Sequence, residues 1–158
     1  MSLLAFFQWC EASGIGETIR KSSWLFPVIE AIHLLGLGVI GGAVLVVDLR
    51  LLGLGLKRQS AAELTREAQP WLIGSLALMI VTGGLLFLSE AIKCYYHDAF
   101  WFKMSCLFLA IVFTFTIQRK VILAGETRMR PVWSKVVALV SILLWSGVGI
   151  GGRWIGFS

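Results

Sequence analysis

The segment WLFPVIEAIHLLGLGVIGGAVLVV, Trp24 to Val47, decides how the rest of the chain is read. It exceeds the ~20 apolar residues that an α-helix needs to cross ~30 Å of hydrocarbon. Only two ionisable side chains interrupt it, Glu30 and His33. An imidazole and a carboxylate at membrane depth are costly, so they need a partner, a cavity or a metal. The segment therefore predicts a membrane-spanning helix and marks the place on it where function should be sought.

Three more apolar runs, bounded by charge clusters, follow at about Trp71–Ser89, Phe100–Leu123 and Val132–Gly152. The composition agrees, being 58% hydrophobic and 15% charged with a mean hydropathy of +0.84. Soluble domains are roughly half apolar and a quarter charged. Four spans in 158 residues leave room for one membrane domain, residues 1–158, and no second soluble one. The expected fold class is all-α, an integral membrane four-helix bundle whose main partner is the lipid bilayer. Ahead of the first span, Leu3, Leu4, Phe6, Phe7, Trp9 and Cys10 form a short apolar patch, which predicts an N-terminal interfacial helix on the outer leaflet. The same stretch lacks the basic start and full apolar core of a cleavable signal peptide.

Trp24, Trp71, Tyr95, Tyr96, Trp101, Trp133 and Trp154 fall at span ends, as interfacial aromatic belts do. Trp145 falls near mid-span and must either pack inside or face acyl chains. The first loop carries Arg50, Lys57, Arg58 and Arg66, and the third carries Arg119, Lys120, Arg128, Arg130 and Lys135. The opposite side has only Arg20, Lys21, Lys93, Lys103 and Arg153, so the positive-inside rule puts both termini outside. With its cations at helix ends, the net charge of +5 reflects topology, and nucleic acid is not an expected partner. Cys10, Cys94 and Cys106 have neither C-x-x-C nor zinc spacing and read as small apolar residues.

Ser60-Ala-Ala-Glu63 has the form of a capping box and predicts a short helix in the first loop. Pro27, Pro70 and Pro131 are expected in the first turns of spans one, two and four. Gly38-x-x-x-Gly42 has the spacing that lets membrane helices approach closely. Asp48 and Arg50 close the first span and can cap it or pair with the third loop.

At ~1.5 Å per residue from Trp24, His33 lies roughly mid-membrane. At 100° per residue Glu30, His33 and Gly36 share a face. A b-type haem suits this arrangement, with His33 as axial ligand, Glu30 or a backbone carbonyl fixing its tautomer, and Gly36 leaving room for the ring. The alternative is a histidine hydrogen-bonded between helices. His97 reads as a solvated loop residue, so one span histidine per chain excludes a bis-histidine haem within a protomer. Such a haem would be five-coordinate, bridged between protomers, or completed by another residue. Met79 is the best match in depth, and Met104 a poorer one. Lys103 and Arg153, on the outer side, can pair with the propionates or snorkel to lipid phosphate. Haem-free copper or small-solute handling would draw on His33, Met79, Met104 and Cys106, and a cofactor-free accessory subunit is a third reading.

The run Ser23-Trp24-Leu25-Phe26-Pro27-Val28-Ile29-Glu30-Ala31-Ile32-His33-Leu34-Leu35-Gly36, with Asp48-Leu49-Arg50-Leu51-Leu52-Gly53, resembles a bacterial family of small membrane proteins of unknown function. The likeness extends through Pro70, Thr82-Gly83 and Phe102-Lys103. More distantly, the layout is similar to the copper-resistance D type and to the membrane protoporphyrinogen oxidase, in which a first-span histidine is associated with haem. That resemblance reaches His33, Arg50 and Lys103, and this chain departs from it by having no histidine in its third span. Together these readings lead to the expectation of a haem b protein in a bacterial inner membrane. His33 would be its metal ligand, with an electron-transfer or redox role near the outer face, a redox partner and a homo-oligomeric state.

Overall fold

The computed structural model describes residues 2–54, 58–124 and 131–155; Lys57, Arg128 and Arg130, used above for orientation, lie outside the described residues. The described residues are helical almost throughout. Two short helices, α1 (Leu3–Glu11) and α2 (Gly14–Lys21), precede the long α3 (Leu25–Leu52) and α4 (Ala61–Ser89). A short α5 (Ala91–Tyr96) leads into α6 (Asp98–Phe113), which passes through a π-helical turn, Thr114–Gln118, into α7 (Arg119–Ala124). The last helix is α8 (Pro131–Ile155). Four segments are long and apolar enough to span a membrane: α3, α4, the continuous Asp98–Ala124, and Val132–Ile155 within α8. The chain is thus an all-α, multi-pass membrane bundle.

Local chemistry sets the ends. Ser2 and Ser13 cap α1 and α2 by accepting from the backbone N–H of Ala5 (3.3 Å) and Gly16 (3.2 Å). α3 stops at Gly53, whose φ of 79° lets Gly53 N and Leu54 N reach back to the Arg50 and Leu49 carbonyls. The capping box at Ser60 and Glu63 is present, yet the helix it starts is α4 itself. Pro70, expected to begin the second span, lies inside α4 and is exposed there. Its missing N–H costs one hydrogen bond within a helix that the rest of the sequence supports. The N-terminal patch forms one helix, α1, as expected, and a second, α2, follows it from Gly14. His97 is the N-cap of α6, its Nδ1 accepting from Ala99 N at 3.2 Å.

α3 packs on both α4 and α8, and α8 packs on α6; α4 has no extensive contact with α6 and touches the continuation of that span at α7. The central core joins Ile40 and Val44, Leu72 and Met79, Ala110, and Trp145 and Val148 from all four spans. Trp145 therefore packs inside, and its indole N–H donates to Thr114 Oγ1 at 3.2 Å. Large apolar side chains such as Leu35 (71%), Phe108 (68%) and Leu143 (71%) stay exposed along the spans. In water such a surface would aggregate; in a bilayer it is the lipid-contacting face. A Cβ at Gly38, Gly41 or Gly42 would meet nothing within 4 Å. The spacing read as a helix-packing motif therefore closes no contact within the protomer.

The N-terminal pair covers one end of the bundle. Phe7 sits edge-on to Phe87 (5.1 Å) and Tyr95 (5.2 Å). Cys10, Ala91 and Cys94 complete that cluster. Glu11 accepts from Ile92 N (2.6 Å) and Arg20 donates to the Ser89 carbonyl (2.8 Å).

Candidate functional site

Two buried polar groups stand out, one in each half of the bundle. In the half nearer the termini, His33 is 7% exposed and its Nδ1 lies 2.8 Å from Thr82 Oγ1. Thr82 donates its only hydroxyl hydrogen to the Leu78 carbonyl, 2.7 Å away, one turn back in α4. Oγ1 can then only accept from the ring, which places the proton on Nδ1 and the lone pair on Nε2. Among the described residues Nε2 has no partner, and it is not one of the sealed, unpartnered polar atoms. A histidine whose Nδ1–H is held and whose Nε2 is bare is prepared to bind a metal.

The ring packs against Gly83, where a Cβ would come within 3.1 Å of His33 Cε1. Gly36, one turn on, faces Met79 in the same way, its would-be Cβ lying 3.2 Å from Met79 Cγ. Sequence spacing assigned Gly36 to a porphyrin; in the structure the Met79 side chain fills that gap. Met79 is part of the central core. Lys103 of α6 is close enough to His33 for its charge to be felt at the ring. The lysine lies along α8, where would-be Cβ atoms at Gly151 and Gly152 fall 3.0 Å from its Cβ and 3.4 Å from its Nζ. Glu30 is half-buried and, among the described residues, makes no hydrogen bond or ion pair, so it does not orient the imidazole. Arg153 lies in the last turn of α8, beside Trp154 at a shallow surface hollow. The structure thus sets Gly36 against Met79 and His33 against Thr82 and Gly83, with Lys103 lying along α8. Among the described residues no three His, Cys, Asp or Glu side chains converge as a metal cluster.

In the other half, Asp48 is fully buried and accepts from Gln118 Nε2 at 2.7 Å. Ser141 of α8, also fully buried, faces the same carboxylate without completing a hydrogen bond. Asp48 Oδ2, Gln118 Oε1 and Ser141 Oγ are sealed and unpartnered. Other buried hydroxyls behave differently: Ser75, Thr82 and Ser89 each donate to a carbonyl of their own helix. Gln118 closes the π-helical turn, and such turns often occur at functional positions. Beside it a crevice of about 410 Å³ runs between α3, α4 and the α6–α7 segment. Gln118 stands next to Arg119 and Lys120 and reads in sequence as an interface residue. Only an interrupted helical phase, invisible in apolar periodicity, reveals that it points inward.

No curated protein and no solved structure matches the chain. Residues 6–158 match the profile described as Family of unknown function (DUF6644). That match spans all four membrane helices and both buried polar groups, so the chain belongs to this family of small membrane proteins of unknown function.

Proposed function

We propose that the protein is a membrane haem b protein with His33 Nε2 as an axial iron ligand, serving electron transfer or another redox role. The observation that carries this reading is the Thr82 hydroxyl, which fixes the ring proton on Nδ1 and leaves Nε2 free. Bound there, haem would supply one-electron redox chemistry. The donor fits. Gly36 leaves no room for a porphyrin, because Met79 fills that gap, so His33 Nε2 would have to hold it elsewhere on the ring's surroundings. Lys103, within electrostatic reach of His33, would neutralise a propionate, with Arg153 at the end of α8 as a second cation. The open face at Gly38, Gly41 and Gly42 supports a homo-oligomer, in which a second copy would cover these positions. The proposed setting is a bacterial inner membrane with both termini outside, which puts His33 in the outer half.

The test is a visible spectrum of the detergent-purified protein. A Soret band is expected, and His33→Ala should remove it while leaving the far-ultraviolet circular dichroism unchanged. A colourless wild-type protein, supplied with haem during expression, would sink the reading. Met79 seated against Gly36 favours a second reading, a cofactor-free accessory subunit. Its mark would be a colourless chain purified only within a larger membrane complex.

A further inference from the structure

We propose that the end of the bundle opposite the termini binds the head group of an anionic phospholipid, with Arg66 of α4 and Arg119 of α7 as its main cations. The two ends differ in charge balance. Around the termini, Arg20, Lys21, Lys93, Lys103 and Arg153 are matched in number by Glu11, Glu17, Glu30, Glu90 and Asp98. Three of those cations are also tied down, in the pairs Arg20–Glu11 (3.5 Å), Lys21–Glu17 (2.6 Å) and Lys93–Glu90 (3.9 Å). At the opposite end Arg58, Arg66, Arg119, Lys120 and Lys135 are all exposed, and among the described residues none of them makes an ion pair. Only two described carboxylates, Glu63 and Glu67, are exposed beside them, and Glu63 is committed to the capping box at Ser60. Asp48 is buried away from this surface. This end therefore presents positive charge that the protein itself leaves unbalanced.

The position of the cations selects a lipid over a soluble anion. Each borders the lipid-contacting face of its own helix: toward mid-span, Arg66 is followed by Trp71 and Ile73, Arg119 is preceded by Ile117, and Lys135 is followed by Val136 and Leu139, all exposed. A phospholipid carries its charge where its acyl chains begin, so its head group meets the guanidinium groups while its chains stay on the apolar surface beside them. Arg66 and Arg119 come from different spans and stand at the edge of one crevice, which brings two forked donors to the same place. A guanidinium matches phosphate oxygens two at a time. A head group held by both would tie α4 to α7, where α4 has no extensive contact with α6.

The inference goes beyond the redox reading and does not rest on it, so the two can fail separately. The experiment titrates phosphatidylglycerol into the full-length protein in mixed detergent micelles, with thermal unfolding and native mass spectrometry as readouts. Phosphatidylcholine, which has the phosphate without net charge, and inorganic phosphate, which has the charge without chains, are the controls. Phosphatidylglycerol is expected to be retained and to raise the unfolding temperature, and neither control should match it. Removing each cation should cost about fivefold in affinity, so Arg66→Gln with Arg119→Gln should weaken binding about twenty-five-fold. Lys21→Gln with Lys93→Gln, at the other end, should leave it unchanged. Raising salt from about 0.1 M to about 1 M shortens the screening length from ~10 Å to ~3 Å and should weaken binding by the wild type, a test that needs no variant. Equal binding of either control, binding that ignores salt, an undiminished glutamine pair at Arg66 and Arg119, or an equal loss in the Lys21 and Lys93 pair overturns the proposal. His33→Ala should bind the lipid as the wild type does; a protein without a Soret band that still binds it would break only the haem reading.

Discussion

His33 and Asp48 sit on the same helix, fifteen positions apart, and the bundle treats them in opposite ways. Each is buried, and each has one strong side-chain partner from another span. Around His33 the hydrogen-bond account closes: Thr82 gives its hydrogen to its own helix and takes one from the ring. Around Asp48 it stays open: Ser141 faces the carboxylate without closing a bond, and Gln118 Oε1 has no donor. A closed account orients a group and leaves one atom to act. An open one carries a cost, because each unsatisfied buried group is destabilising by ~1–3 kcal/mol. The half nearer the termini thus holds an oriented donor, and the half around Asp48 holds an acceptor whose demand is unmet.

The largest stability effect should come from the open side. Asp48→Ala removes the acceptor of Gln118 Nε2 and strands that amide, which should cost about 1–3 kcal/mol in thermal or chemical unfolding in detergent. Asp48→Asn keeps an acceptor oxygen in place and should cost clearly less. If both variants melt together, Gln118 is not held by the carboxylate, and the contrast drawn here fails.

Next in size is a change to the closed side that leaves its polar atoms untouched. Gly83→Ala puts a methyl group 3.1 Å from His33 Cε1, so the ring must yield by a few tenths of an ångström. The expected loss is about 1 kcal/mol, at the lower end of overpacking costs. The same displacement should move the Soret maximum if His33 holds iron. A stability change with an unmoved Soret band would show that the ring is structural.

Much of this architecture could be read from residue order. Apolar run lengths gave the four spans, Ser60 and Glu63 gave a helix start, and the cost of burying an imidazole pointed to His33. Contacts between spans were the unread part. Nothing in the spacing of Gly36 says whether its gap admits a cofactor or the Met79 side chain, since that depends on the register of α3 against α4. Thr82 could be noticed only beside Gly83, because a lone threonine in an apolar run is as often bonded to its own helix, and here it does both. Gln118 was hidden most deeply. The π turn that carries it inserts a residue into the helical phase, and no hydrophobic pattern marks where that happens. Pro70 misled for a related reason: proline favours a first turn, but the capping box ten residues earlier had already begun the helix.

The smallest effect is expected at Cys94, where burial acts without any need for a partner. This thiol lies outside the spans, in the aromatic cluster under α1, and is 8% exposed. Burial first, and then the Glu90 carboxylate, push it up to about 11 from an ordinary 9.0, against the opposing pull of Lys103 and Lys93. The native state therefore keeps its proton in a range where the unfolded chain has lost it. From this group, stability should be flat below pH 9 and fall as pH rises from there toward 11. Alkylation reads the same shift more directly: at pH 8 iodoacetamide should modify Cys94 roughly a hundredfold more slowly than an exposed thiol, the ratio of their thiolate fractions. A Cys94 that labels as fast as an exposed thiol would mean that α1 does not stay docked over it. A thiol can be sealed among aromatic rings at little cost, because it is only a weak hydrogen-bonding group. Gln118 Oε1 has no such latitude, and that difference in chemistry, more than any difference in burial, singles out the Asp48–Gln118 cluster as unfinished.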